Sequence, residues 1–303
     1  MTQNKKYFKG FTLVEVLIVL TVVGFLFTLT IPNLMMKRNT LEYCNKAKDI
    51  QAELQAAFTK TSALNGNVDP LNWESVKTSP NKAEAITKEL SKNLKILSYC
   101  GDSPKGCFST NEYKTLSGVP TKEIFQQIQP SNENYTNSHE KEEDNQINMN
   151  ELNSFYDNSS QILEENNTVE ANPMVSQSYI ALLNGGSALI KTNSTHCNAT
   201  IPSVDRNPRP LCGEIIVDIN GSAIPNRLGV DVFGFYISEN TILPMGFYGD
   251  DFSFNSNCLF DNTTNQMNGL ACTAWAIRNK NMDYRKCKAG IDIDWTKSTK
   301  CDR

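Results

Sequence analysis

Between Phe11 and Ile31 the chain carries a single ionisable side chain, Glu15. The rest of that stretch is Phe, Leu, Val, Ile, Thr and one Gly. As an α-helix rising 1.5 Å per residue it would reach roughly 31 Å, against a hydrocarbon core of about 30 Å. The preceding ten residues, MTQNKKYFKG, contain Lys5, Lys6 and Lys9. Lysines ahead of an apolar run hold that end in the cytoplasm. The sequence therefore predicts one membrane span, with the remainder of the chain outside the cytoplasm.

Glu15 narrows the choice among spans. A secretory signal has an apolar region of about 7–15 residues followed by small residues; this run is longer and ends in TIPNLMMKR. A plain anchor accounts for the length and leaves Glu15 unexplained, although a carboxylate at mid-span costs about 3 kcal/mol. The junction G-F-T-L-V-E, Gly10 to Glu15, resembles the class III leader of type IV pilins and of the related pseudopilins of type II secretion. The resemblance covers about residues 5–60. It implies that a prepilin peptidase cuts between Gly10 and Phe11 and methylates Phe11. It also implies that Glu15 guides assembly with other pilin or pseudopilin subunits, and that Pro32 stands where many pilins carry a proline. Buried in lipid, a carboxylate and a new terminal ammonium are each costly alone and far less so when paired across subunits.

The compartment fits the cysteines. Nine are present, Cys44, Cys100, Cys107, Cys197, Cys212, Cys258, Cys272, Cys287 and Cys301. In an exported chain they read as a disulfide framework. An odd number leaves one over, and Cys44 is the candidate. Short loops favour Cys100–Cys107 and Cys197–Cys212. No C-x-x-C occurs and only His139 and His196 are present, which argues against zinc. The net charge is −4, and loss of the three leader lysines takes it to −7. No nucleic-acid partner is expected from that balance.

Past Pro32, expected to kink the helix, Leu41, Cys44, Ala47, Ile50, Leu54, Ala57 and Phe58 recur at three and four. That spacing gives one apolar helix face, ending near Leu64 where Asn-Gly-Asn follows. PNKAEAITKELSKNLKIL reads as a further helix through Leu97. From Lys122 to Glu170 eleven acidic side chains stand against two basic ones. Such a stretch is too polar to offset its ordering entropy and reads as an exposed insertion. Beyond it, apolar runs are joined by Asn184-Gly185-Gly186 and by Asn220-Gly221, both hairpin signals. GVDVFGFYIS and TILPMGF add strands, and GLACTAWAIRNKNMDYRKC reads as a terminal helix.

The expected fold is therefore α+β and pilin-like. A long N-terminal helix, half transmembrane and half amphipathic, packs on an antiparallel β-sheet head. The expected divisions are a leader (1–10), the helix (11–64), a variable head region (65–121), a polar acidic insertion (122–172) and a disulfide-rich β-sheet head (173–303). One loop is a candidate for a bound calcium ion: Asp218, Asn220, Asn226 and Asp231 present oxygens around a turn whose D-x-N-G opening echoes an EF-hand. Gly229, rather than a glutamate, holds the twelfth position. No hydrolase, zincin or P-loop motif occurs, and no enzyme is expected. The expected role is a minor pilin or pseudopilin of a type IV pilus or type II secretion pseudopilus, crossing a bacterial inner membrane once, with its head outside the cytoplasm, before assembly. The alternative is a monomeric anchored protein whose head binds a ligand or surface.

Overall fold

The computed structural model describes residues 12–125, 176–192, 197, 199–201 and 209–301, and of residues 29–37 the backbone alone. Gly10, Phe11, the two histidines and nearly all of the acidic insertion lie outside the described residues.

Helix α1 runs from Leu13 to Asn65, 53 residues, and continues as one element through Pro32. It stops at Gly66, whose φ of 66° sets a left-handed cap that most side chains resist. The Gly66 N–H donates to Ala63 O and the Asn67 N–H to Ser62 O, filling carbonyls the helix leaves open. A second helix, α2, spans Lys82–Ser91 behind an Asn81 cap.

The head is a six-stranded sheet. Its strands are β1 (Ile96–Gly101), β2 (Ser176–Leu182), β3 (Ser187–Thr192), β4 (Gly213–Asp218), β5 (Val232–Ile237) and β6 (Ile242–Pro244). They lie side by side in chain order, every neighbouring pair antiparallel. Alternation along each strand sends Ile190, Ile215, Val217, Phe233 and Phe235 to the face that meets Cys44, Ala47, Ile50, Leu54 and Phe58 of α1. Tyr179, Leu189, Ile216, Val232 and Tyr236 point to the other face, against Phe108, Tyr113, Leu228, Met245 and Leu270. Both faces are thus covered, and strands such as SALIKT and VFGFYI are buried along their whole length. That explains why they read as unbroken apolar runs.

Four disulfides, Cys100–Cys107, Cys197–Cys212, Cys258–Cys272 and Cys287–Cys301, each close a local loop of the head. Cys44 remains a buried free thiol, its pKa pushed up to about 12 by burial.

Three expectations differ from what is found. Helix α2 ends at Ser91 instead of continuing to Leu97, which is exposed on strand β1. Asn93 breaks the helical run, its side-chain amide donating to Thr61 Oγ1 on α1. The terminal helix is short, Thr273–Asn279, and Lys280 ends it at φ 52°. The Trp275 indole then donates to Asn281 Oδ1 and turns the chain away. Asn220-Gly221 is not a two-residue hairpin: β4 ends at Asp218, β5 starts at Val232, and a long loop with a cis Ile224–Pro225 bond joins them.

Candidate functional site

The first candidate is the start of α1. Thr12 is its N-cap, and Thr12 with Glu15 forms a reciprocal capping box. The Thr12 N–H and Oγ1 both donate to Glu15 Oε2, at 2.9 and 3.0 Å, and the Glu15 N–H donates back to Thr12 Oγ1 at 3.2 Å. These bonds satisfy donors that a helix start leaves open, and the carboxylate also suits the positive end of the helix dipole. Leu13, Val14, Val16, Leu17 and Ile18 surround it, all exposed, and the exposed apolar surface continues around the helix to Phe25, Leu26 and Phe27. A helix apolar on every side is built to be surrounded by lipid or by other helices. Among the described residues no helix is long and apolar enough to cross a membrane. Residues 13–28 give roughly 24 Å of helix, and the sequence runs on with Leu29, Thr30 and Ile31.

The second candidate is the β4–β5 loop. Asp218 and Asp231 are both fully buried. Asp218 Oδ2 accepts from Tyr113 Oη at 2.7 Å and Oδ1 from the Asn220 N–H at 3.2 Å. Asp231 Oδ2 accepts from the Asn226 N–H at 2.9 Å and Oδ1 from the Arg227 N–H at 2.6 Å. Burial pushes both acids upward, Asp218 to about 7, with the neighbouring Asp231 charge adding to the shift at Asp218. The loop also touches α1: burial and the negative charges of this loop raise the Tyr43 hydroxyl. Gly221, at φ 64°, lies so close to the β2–β3 turn that a Cβ there would sit 2.7 Å from Gly185 O. Asp218, Asn220 and Asp231 thus come together as the sequence places them, with Tyr113 added.

Residues 5–31 match the prokaryotic N-terminal methylation motif, the signature of a class III prepilin leader. The chain carries a prokaryotic N-terminal methylation motif. The match supports the type IV pilin and pseudopilin family, and it falls on the exposed apolar start of α1 and on Glu15. Prepilins with this motif are in general structural, membrane-anchored subunits rather than enzymes. Comparison of the chain with curated proteins gives no match, nor does comparison with solved structures.

Two features of these sites differ in how legible they are in the sequence. The capping box was legible as T-x-x-E at Thr12–Glu15, a pattern that needs no structure. Tyr113 was not legible, because the fold alone brings it to Asp218 across a separation of 105 residues. Among the described residues one further cluster, Asp69 with Cys197 and Cys212, groups metal-ligand types. Its two sulfurs are joined as a disulfide and offer no thiolate.

Proposed function

We propose that this chain is a minor pilin or pseudopilin, cut between Gly10 and Phe11, methylated on Phe11 and assembled through α1 into a type IV pilus or type II secretion pseudopilus. The observation that carries the proposal is the coincidence of the methylation motif at residues 5–31 with a helix that exposes apolar side chains all round its residues 13–28. The prepilin peptidase acts from the cytoplasmic side of the inner membrane, and the head stands outside it. Four disulfides in the head agree with an oxidising compartment.

Assembly would place Glu15 of one subunit against the new terminal ammonium of a neighbour. In lipid such a pairing fixes one axial register, since any other leaves two charges without partners. The head is large, and it carries a long acidic stretch in sequence. A filament of many identical copies must pack its heads densely, which favours a low-copy subunit here.

The test is the mass of the chain isolated from membranes. The expected mature form begins at Phe11 with one added methyl, and replacement of Gly10 by a bulky residue leaves the precursor intact. Cleavage after Thr28 or beyond would point to an ordinary secretory signal and reject the proposal.

A further inference from the structure

A row of polar side chains crosses the sheet on the face turned away from α1. Gln177 on β2 pairs with Lys191 on β3, Lys191 with Glu214 on β4, and Glu214 with Tyr236 on β5. Directly paired residues of antiparallel strands share a face, with Cβ atoms about 4.5–5.5 Å apart. Tyr179 and Leu189, two positions along their strands from Gln177 and Lys191, lie in the core of that same face. Lys191 is therefore flanked by a carboxamide on one side and a carboxyl on the other.

Water is largely kept from this row. Lys191 is 1% exposed, an uncommon place for a lysine. Gln177 and Glu214 are partly buried. Among the described residues Gln177 Oε1 is buried without a hydrogen-bond partner, a state that native folds hold rarely. Burial lowers the Lys191 ammonium to about 8, against the pull of the Glu214 charge, so a share of it is free amine near neutral pH. Burial raises the Glu214 carboxyl, against the Lys191 charge, and the Asp250 charge adds to the rise. Asp250 stands next along the row, accepting from Tyr236 Oη at 3.1 Å. An amine able to shed its proton and a carboxyl able to hold one are what nucleophilic exchange at an amide requires.

We propose that Lys191 and Gln177 join in a covalent side-chain amide that ties β2 to β3, with Glu214 carrying the protons. Lys191 Nζ, as free amine, attacks Gln177 Cδ, and the carbonyl electron pair moves onto Oε1. Glu214 gives its proton to the Gln177 amide nitrogen and takes one from Nζ. The Cδ–Nε2 bond then breaks, the carbonyl re-forms and ammonia leaves. Glu214 ends as it began, and the balance needs no further reactant. Side-chain amides resist such exchange in solution; here strand pairing holds the two groups side by side, which replaces a bimolecular encounter. The exposed part of Gln177 gives ammonia a way out.

The experiment is peptide mass spectrometry on the full chain purified from membranes, reduced, alkylated and cut with chymotrypsin, which cleaves after Tyr179 and Leu183, between the two residues. The expected product is a branched peptide holding Gln177 and Lys191, lighter by one ammonia than the sum of its two parts. Lys191→Arg and Gln177→Ala should each abolish it. Glu214→Gln, nearly the same in size, should cut the linked fraction by roughly tenfold or more while leaving the disulfides in place. Separate, unlinked peptides from the unmodified chain would reject the bond, whether or not the variants fold. A link from Lys191 to Glu214, lighter by one water, would reject Gln177 as the acceptor. A full yield of the link in Glu214→Gln would remove Glu214 as the proton carrier.

Discussion

Helix α1 is one continuous element with two unlike halves. In residues 44–62 burial follows the helical period: Cys44, Ala47, Ile50, Leu54, Ala57, Phe58 and Thr61 face the sheet, while Lys48, Asp49, Glu53 and Lys60 face out. In residues 13–28 no such period exists, and even the large side chains Leu13 and Phe25 are 82% and 64% exposed. The upper half is complete within the chain. Residues 13–28 of the lower half leave their large apolar side chains exposed. Covering a Leu or Phe is worth about 1.5–3 kcal/mol each, so the lower half needs a second environment, lipid or neighbouring helices.

Substitutions can break that contrast, and the largest effect belongs to the upper half. Phe58→Ala, made beside Trp73, should lower the unfolding free energy of the head by about 3–5 kcal/mol. Phe25→Ala should leave the head's denaturation midpoint where it is. A comparable loss from Phe25→Ala would show that the lower half packs on the head after all. Removing the Cys258–Cys272 disulfide by paired Cys→Ser changes should cost about 3 kcal/mol in the same denaturation assay. Alkylation before reduction should label Cys44 alone once the head is opened, and labelling of other cysteines would contradict the framework.

A smaller, pH-dependent effect sharpens the picture of the head as self-contained. Burial raises the Asp250 carboxyl from its ordinary 3.8 to about 6, against bonds from the Gly246 and Phe252 N–H groups and from Tyr236 Oη. The native head therefore binds this proton more tightly than the unfolded chain does. The group's contribution to stability is full below about pH 4, is lost as the pH rises to about 6, and is flat above. Its size is about 2–3 kcal/mol. Denaturation between pH 4 and pH 7 should show a smaller pH slope for Asp250→Asn than for the unmodified chain, and equal slopes would exclude the shift.

Sequence made some of this legible and hid the rest for physical reasons. The period at Cys44–Phe58 gave the buried face of α1, because a helix covering one sheet must be apolar on one side. Leu41 shares the spacing and is exposed, because burial by the head begins only at Cys44. The β2–β3 hairpin was readable in Asn184-Gly185-Gly186, a local signal. The same Asn-Gly at 220–221 misled, because Asp218 and Asp231 hold that loop open through bonds to its backbone. Strand β1 was hidden within a helical pattern, since its pairing with β2 joins residues far apart in the chain. At the functional end Glu15 stood out because a carboxylate is rare in such a run. Its partner Thr12 stands out less, since a threonine is common in such a run, although the capping pattern is local.

That capping box supplies the direct test of the proposed pairing. Glu15 has two possible jobs, closing its own helix start and meeting the charged terminus of a neighbouring subunit. Glu15→Gln retains the box, since glutamine serves at that helix position, and removes only the charge. Thr12→Ala removes the cap, at about 1 kcal/mol, and keeps the charge. The decisive measurement is the fraction of each variant recovered in isolated filaments relative to the membrane fraction. Glu15→Gln is expected in the membrane and absent from filaments, with Thr12→Ala present in both. Normal incorporation of Glu15→Gln together with loss of Thr12→Ala would make Glu15 a helix cap and contradict its role between subunits.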